Sequence, residues 1–281
     1  MKASEFVRFY APKGVTAWEA AALDLAKSNQ SLSWPTTTLH LSSGPHTAEL
    51  EVQNDYFAIG EPDDFLRLPL TPKKAQQVAN LGGWLLPTPK IAYEIWKQAA
   101  VKLKPIFLRN KYINLTQYAE HDQAIRGQLA ALGNPEGLVT SHKKDVVVSN
   151  IYKPKTVLIY GWWWPVKPPG GGGIYSSQPI QGRSNVHDDG YADYSHGIRL
   201  VSGEMLVDGK QMRTEDVYRD KELSGLVSDE GPLRLVRYPT PEEPQPYTKP
   251  SQKTAEALVP GPSYADYGAE VMSERYRQGK L

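Results

Sequence analysis

The sequence predicts an α+β fold, with a mixed or antiparallel sheet packed against several helices and a proline-rich C-terminal extension. Three observations predict it. Short runs of alternating polarity fill Leu32 to Leu70, two helices with marked starts follow, and further strand-like runs continue to about residue 213. A domain over residues 1–230 is therefore expected, followed by an extended tail over 231–281.

In order, residues 1–15 read as a short strand or arm, and Thr16 then reads as the cap of a helix running from Ala17 to Lys27. Thr38-Leu39-His40-Leu41, Ala48-Glu49-Leu50-Glu51-Val52 and Phe65-Leu66-Arg67-Leu68 read as strands between Pro, Gly and Asn-Asp breakers. Thr71-Pro72 and Thr88-Pro89 each start a helix. The threonine supplies a cap oxygen, and the proline lacks only an N–H that would have been unpaired. Gly82-Gly83 closes the first of these helices, and a third is expected from Leu115 to Leu132, stopped by Gly133-Asn134-Pro135.

Asp145 to Val148, Thr156 to Tyr160 and Ile198 to Val201 read as core strands. A hairpin is centred on Asp208-Gly209, and a short polar helix follows Thr214. The long connection from Gly161 to Asp193 contains Trp162-Trp163-Trp164 and the run Gly170 to Gly173, read as a functional loop with a glycine hinge. Pro239 to Pro246 is too polar and proline-rich to bury much apolar area. It reads as a tail that wraps the domain or contacts a partner chain.

Bulk properties narrow the function. With 32 basic and 31 acidic residues the net charge is +1, which gives no basic footprint for nucleic acid. No apolar window of 18 residues exists and the opening residues lack the apolar segment of a signal peptide. Neither a membrane span nor an export signal is expected, and the compartment is left open. The chain has no cysteine, so any nucleophile is an oxygen, an amine or an activated water. The 7 tryptophans and 16 tyrosines against 5 phenylalanines supply aromatics with polar handles, suited to packing and to sugar contact.

The densest chemistry lies in His187 to Val201, which holds two of the six histidines, three aspartates, a serine and an arginine. His187, Asp193 and His196 could bind zinc or another divalent metal, because neutral imidazoles and a carboxylate suit such an ion and its bound water. Ser195 is a candidate nucleophile, with a histidine as base and an aspartate to orient it. It is adjacent to His196, so in a strand the two point apart and His187 would have to serve as the base. Lys143, Lys144 and Arg199 could hold a substrate carboxylate, and Tyr160, Trp162 and Trp163 could bind a sugar ring.

Ser184, His187, Gly190, Ala192 and Asp193 resemble the His-x-x-Gly-x-Ala-x-Asp element of zinc D,D-carboxypeptidases, with Asp193 one residue early and no His-x-His pair downstream. Ser195-His196-Gly197-Ile198-Arg199-Leu200, with Ile159-Tyr160-Gly161 upstream, resembles the L,D-transpeptidase signature without its cysteine, so the thiolate acyl-enzyme of that family cannot form here. Ser141-His142-Lys143-Lys144-Asp145-Val146-Val147, Ile159-Tyr160-Gly161-Trp162 and Asp193 to Val201 also resemble a poorly characterised bacterial family, some members of which occur with peptidoglycan-binding modules. These resemblances imply a hydrolase acting on a cell-wall polymer, at a peptidoglycan peptide or amide bond. The alternative is a non-catalytic carbohydrate-binding or assembly protein.

Overall fold

The computed structural model describes residues 1–29, 31–109, 113–165 and 178–247, and within them the fold is α+β. The glycine run Gly170 to Gly173 and the tail beyond residue 247 lie outside the described residues.

The first fifteen residues are not a strand. They form helix α1 (Ala3–Tyr10), because Ala3, Phe6, Val7 and Tyr10 recur at helical spacing and bring Phe6 into the core. The Glu5 carboxylate accepts the Lys2 N–H and so closes the first turn. Helix α2 (Val15–Lys27) begins before the expected cap. Gly14 takes that place with φ 81°, and Thr16 lies inside the first turn.

Strands β1 (Ser31–Leu32), β2 (Thr36–Ser43), β3 (His46–Gln53), β4 (Ala58–Glu61) and β5 (Asp64–Arg67) follow. Along β2 and β3, Leu39, Leu41, Ala48, Leu50 and Val52 point inward while Thr38, His40, Ser42 and Glu49 point to solvent. Helices α3 (Pro72–Leu81) and α4 (Pro89–Gln98) start at their threonine-proline pairs. Thr88 caps α4 by accepting the Ile91 N–H, as expected. Thr71 does not cap α3; its hydroxyl and its N–H instead both bond the buried Glu19 carboxylate.

Strand β6 (Val101–Lys102) leads to α5 (Leu115–Ala131), capped by Asn114 and followed by Gly133 and Asn134, both at positive φ. The remaining elements are β7 (Val139–Thr140), β8 (Lys144–Val146), β9 (Ile159–Gly161), β10 (Gln181–Ser184), β11 (His196–Gly197), β12 (Val201–Val207), β13 (Lys210–Arg213) and α6 (Thr214–Arg219). Asp208 (φ 50°) and Gly209 (φ 78°) make the β12–β13 turn, the left-handed pair that a two-residue hairpin requires.

The sheets are small and separate: β1-β4-β5, β13-β12-β3-β2, β10-β9-β8-β11 and the pair β6-β7. The third is mixed, since β11 runs parallel to β8 while β9 is antiparallel to both β8 and β10. Two expected strands are shorter than read. Val147 and Leu158 still bond past the ends of β8 and β9, and Val157 N–H reaches the His187 carbonyl instead. Ile198 to Leu200 bridge two sheets, with Phe57 N–H bonding the Ile198 carbonyl and Gln53 N–H that of Leu200.

Packing runs past residue 230, because Leu233, Val236 and Tyr238 all join the main core. Among the described residues no helix is long and apolar enough to cross a membrane.

Candidate functional site

The site is built where β11 meets β8. His196 lies opposite Lys144 and Gly197 opposite Asp145, and the Lys144 N–H bonds the Ser195 carbonyl at 2.6 Å. Just before β11, Asp193 folds the chain back. Its Oδ1 accepts the Ser195 N–H at 2.8 Å and the Ser195 hydroxyl, and its Oδ2 accepts the Tyr191 hydroxyl at 2.9 Å. The His196 N–H bonds the Asp193 carbonyl. This turn places His196 Nε2 4.0 Å from Asp193 Oδ1.

The two histidines of the stretch lie against the same tyrosine. The His187 ring stacks on Tyr191 at 4.0 Å and 12°, while Tyr191 meets His196 edge to face at 5.6 Å. His187 is half-buried, whereas His196 is wholly enclosed. Tyr191 thus touches both imidazoles, and both Asp193 oxygens accept hydrogen bonds. Among the described residues no group of three or more His, Cys, Asp or Glu side chains is arranged to hold a metal.

Burial dictates the electrostatics. It pushes His196 down to about 4, with Asp193 partly opposing and Lys144 adding to the shift, so the imidazole is neutral at pH 7. Burial also acts to raise Asp193, but the nearby His196 and the hydrogen bonds from Ser195 outweigh it and hold the carboxyl below the ordinary range. Neither ring nitrogen of His196 has a hydrogen-bond partner among the described residues.

Lys143 and Asp145 lie on the same strand region. Burial lowers the Lys143 ammonium to about 8, and its Nζ donates to the Tyr194 carbonyl at 2.8 Å. Burial raises Asp145 to about 7, against the pull of Arg199 and of the Tyr56 hydroxyl 3.4 Å from Oδ2. Arg199 is not free to clamp a substrate carboxylate. Its two terminal nitrogens donate to the carbonyls of Gln53 and Val139, and its guanidinium lies 4.0 Å from the centre of the Tyr56 ring. Lys143 is likewise committed to backbone, and the Lys144 Nζ lies 5.0 Å from the centre of the Trp162 ring.

The tryptophans differ from expectation for a backbone reason. Trp162 adopts φ 64°, which breaks strand alternation just after β9, and both Trp162 and Trp163 turn inward. Trp163 stacks on Trp96 at 5.7 Å and 22°, and Trp162 packs against Phe107. Neither therefore offers a sugar platform. Trp164 remains half-exposed, as does Tyr160, whose ring meets Trp163 edge-on at 5.4 Å.

Behind β8 lies a buried ionic network absent from the sequence reading. Arg67 grips Asp55 (Nη2 to Oδ2, 2.6 Å) and Asp122 (Nη1 to Oδ1, 2.9 Å), and Arg126 closes on the other Asp122 oxygen at 2.8 Å. His142 Nε2 lies 2.9 Å from Asp55 Oδ1. A signal for this network existed, since Arg67 interrupts an apolar strand run and Asp122 falls on the buried side of α5. Ser141, at φ 72° with a buried hydroxyl, carries the same left-handed strain as Trp162; such strain concentrates at functional sites.

Gly197 is required by packing. A Cβ there would stand 2.5 Å from the Tyr56 ring and 2.9 Å from Lys143 Cβ. Comparisons of the chain with protein-family models, with curated proteins and with solved structures give no match, so the class is set by the fold alone: an α+β protein with a buried cluster of proton-active groups.

Proposed function

We propose that the protein is a hydrolase acting on an amide bond of a cell-wall polymer such as peptidoglycan. The observation that carries this reading is His196: a neutral imidazole, unpartnered at both nitrogens among the described residues, 4.0 Å from a charged Asp193 and on a strand neighbouring Lys144. In this reading His196 takes a proton from water as the water oxygen adds to the carbonyl carbon, then gives it to the departing amine. Asp193 stabilises the imidazolium in between, and Lys144 faces the developing negative charge. Tyr191, half-buried and packed over His196, is the cover past which substrate enters.

A second reading, a non-catalytic carbohydrate-binding or assembly protein, is supported by the enclosure of Asp193, Ser195, His196 and Arg199, each at most 2% exposed. One experiment separates them. The full chain is incubated with a peptidoglycan suspension, with and without chelator, and soluble fragments are identified by mass spectrometry; bound zinc and other divalent ions are measured in parallel. Release of fragments that disappears with His196→Ala supports the hydrolase, and loss on chelation assigns a metal to it. Binding to the polymer without any released fragment overturns the hydrolase in favour of the second reading.

A further inference from the structure

The β8–β9 pairing is interrupted at its end by a side chain from far along the chain. In the antiparallel register Asp145 faces Tyr160 and Val146 faces Ile159, so Val147 and Leu158 come next. The Val147 N–H bonds the Leu158 carbonyl at 3.0 Å, but the reciprocal bond is not direct. The Leu158 N–H donates to the Tyr238 hydroxyl at 2.9 Å, and that hydroxyl donates to the Val147 carbonyl at 2.9 Å. A phenol oxygen thus occupies one rung of the ladder.

Tyr238 is placed by a docked segment. Its N–H bonds Gln76 Oε1 and its ring meets Tyr152 edge-on. Asn80 is the central peg: it accepts from Arg237 Nη1, donates to the Thr240 hydroxyl, and offers its carbonyl to the Gln245 N–H. Gln77 holds Glu242 at 2.7 Å, and Tyr247 packs against Trp84. Gly83 leaves room for the segment, since a Cβ there would stand 2.3 Å from the Tyr247 nitrogen. On its other side the wedged strand holds the candidate site: the Val157 N–H bonds the His187 carbonyl, and Thr156 bridges to Asp188.

We propose that residues 237–247 form a withdrawable strap whose Tyr238 hydroxyl sets the spacing of β8 and β9. Docked, the hydroxyl keeps Val147 and Leu158 apart. Withdrawn, the Leu158 N–H bonds the Val147 carbonyl directly, so these two backbone groups keep a partner in either state. Closing that rung draws Leu158 towards β8, carries Val157 and His187 with it, and moves the ring stacked on Tyr191. Only this last consequence rests on the hydrolase reading; the wedge itself does not.

The test uses the isotope-labelled full chain and NMR. Scalar coupling across a direct N–H···O=C bond from Leu158 N to Val147 carbonyl carbon is absent in the wild type and present in Tyr238→Phe, which keeps the ring and removes the hydroxyl. Asn80→Ala loosens the strap without touching the ladder, so Gln245 amide exchange accelerates by about tenfold or more for the hydrogen bonds lost, and the same coupling emerges. Coupling already present in the wild type, or absent from Tyr238→Phe, overturns the proposal. Should Tyr238→Phe fail to fold, Asn80→Ala decides: accelerated Gln245 exchange without the coupling overturns it equally.

Discussion

His142 Nε2 and Asp55 Oδ1 stand 2.9 Å apart in a place where neither side chain is more than 4% exposed, and Asp55 is shared with the guanidinium of Arg67. A charge so enclosed is tolerated only while its partners remain. Asp55→Asn leaves Arg67 with half its compensation and is expected to lower stability by about 3–5 kcal/mol, the usual cost of breaking a buried pair from one side. Urea unfolding of the two proteins at pH 7 checks this; a loss below about 1 kcal/mol would show that the network relaxes on its own.

Acid should weaken the fold before ordinary carboxylates titrate. His196 is held near 4 against an ordinary value of about 6.5, and burial also lowers His121 and His142. For a group depressed on folding, the unfolded chain binds the proton first, so stability is full above pH 6.5 and is lost as pH falls towards 4. His196 alone accounts for about 3 kcal/mol of that loss at one pKa unit per 1.4 kcal/mol. Unfolding midpoints measured from pH 7 to pH 4 should fall less steeply in His196→Asn. Parallel curves would refute the assignment.

Asp145 carries the opposite sign. Its folded value of about 7 exceeds the ordinary 3.8, so its contribution is complete below pH 4 and is lost as pH rises through 7. Relative to the wild type, Asp145→Asn should therefore gain up to about 4 kcal/mol on going from pH 4 to pH 8. The check is the stability difference between the two proteins at those pH values; a difference that does not change with pH would count against a raised Asp145.

Gly197→Ala should lose about 1–3 kcal/mol through overpacking against Tyr56 and Lys143. Gly182→Ala, where a Cβ meets nothing within 4 Å among the described residues, is the control and should change stability by less than about 0.5 kcal/mol. Thermal unfolding of both variants decides it: equal midpoints would mean the Tyr56 ring moves aside freely.

Local signals in the sequence were enough for much of the architecture. Alternation reports β2 and β3 because one face of that sheet meets solvent, and the proline starts of α3 and α4 depend on backbone rules that need no tertiary contact. The Asp208-Gly209 turn is legible for the same reason. Helix α1 escaped because its apolar residues, three or four apart, are flanked by too few signals to separate it from an arm. The dense stretch from His187 to Val201 was visible as a site, but not the division imposed by Tyr191, which packs one imidazole on each of its contacts. Asp55, Arg67 and Asp122 could not be grouped in advance, since segments 12 and 55 residues apart meet only in the folded chain.

One uninterrupted run of backbone, from His196 in β11 to Val207 in β12, belongs first to the mixed sheet and then to the four-stranded antiparallel one. Neither sheet can melt without dragging that run out of the other. The two sheets are thereby tied together by one stretch of backbone, and the candidate catalytic histidine stands at the start of that tie.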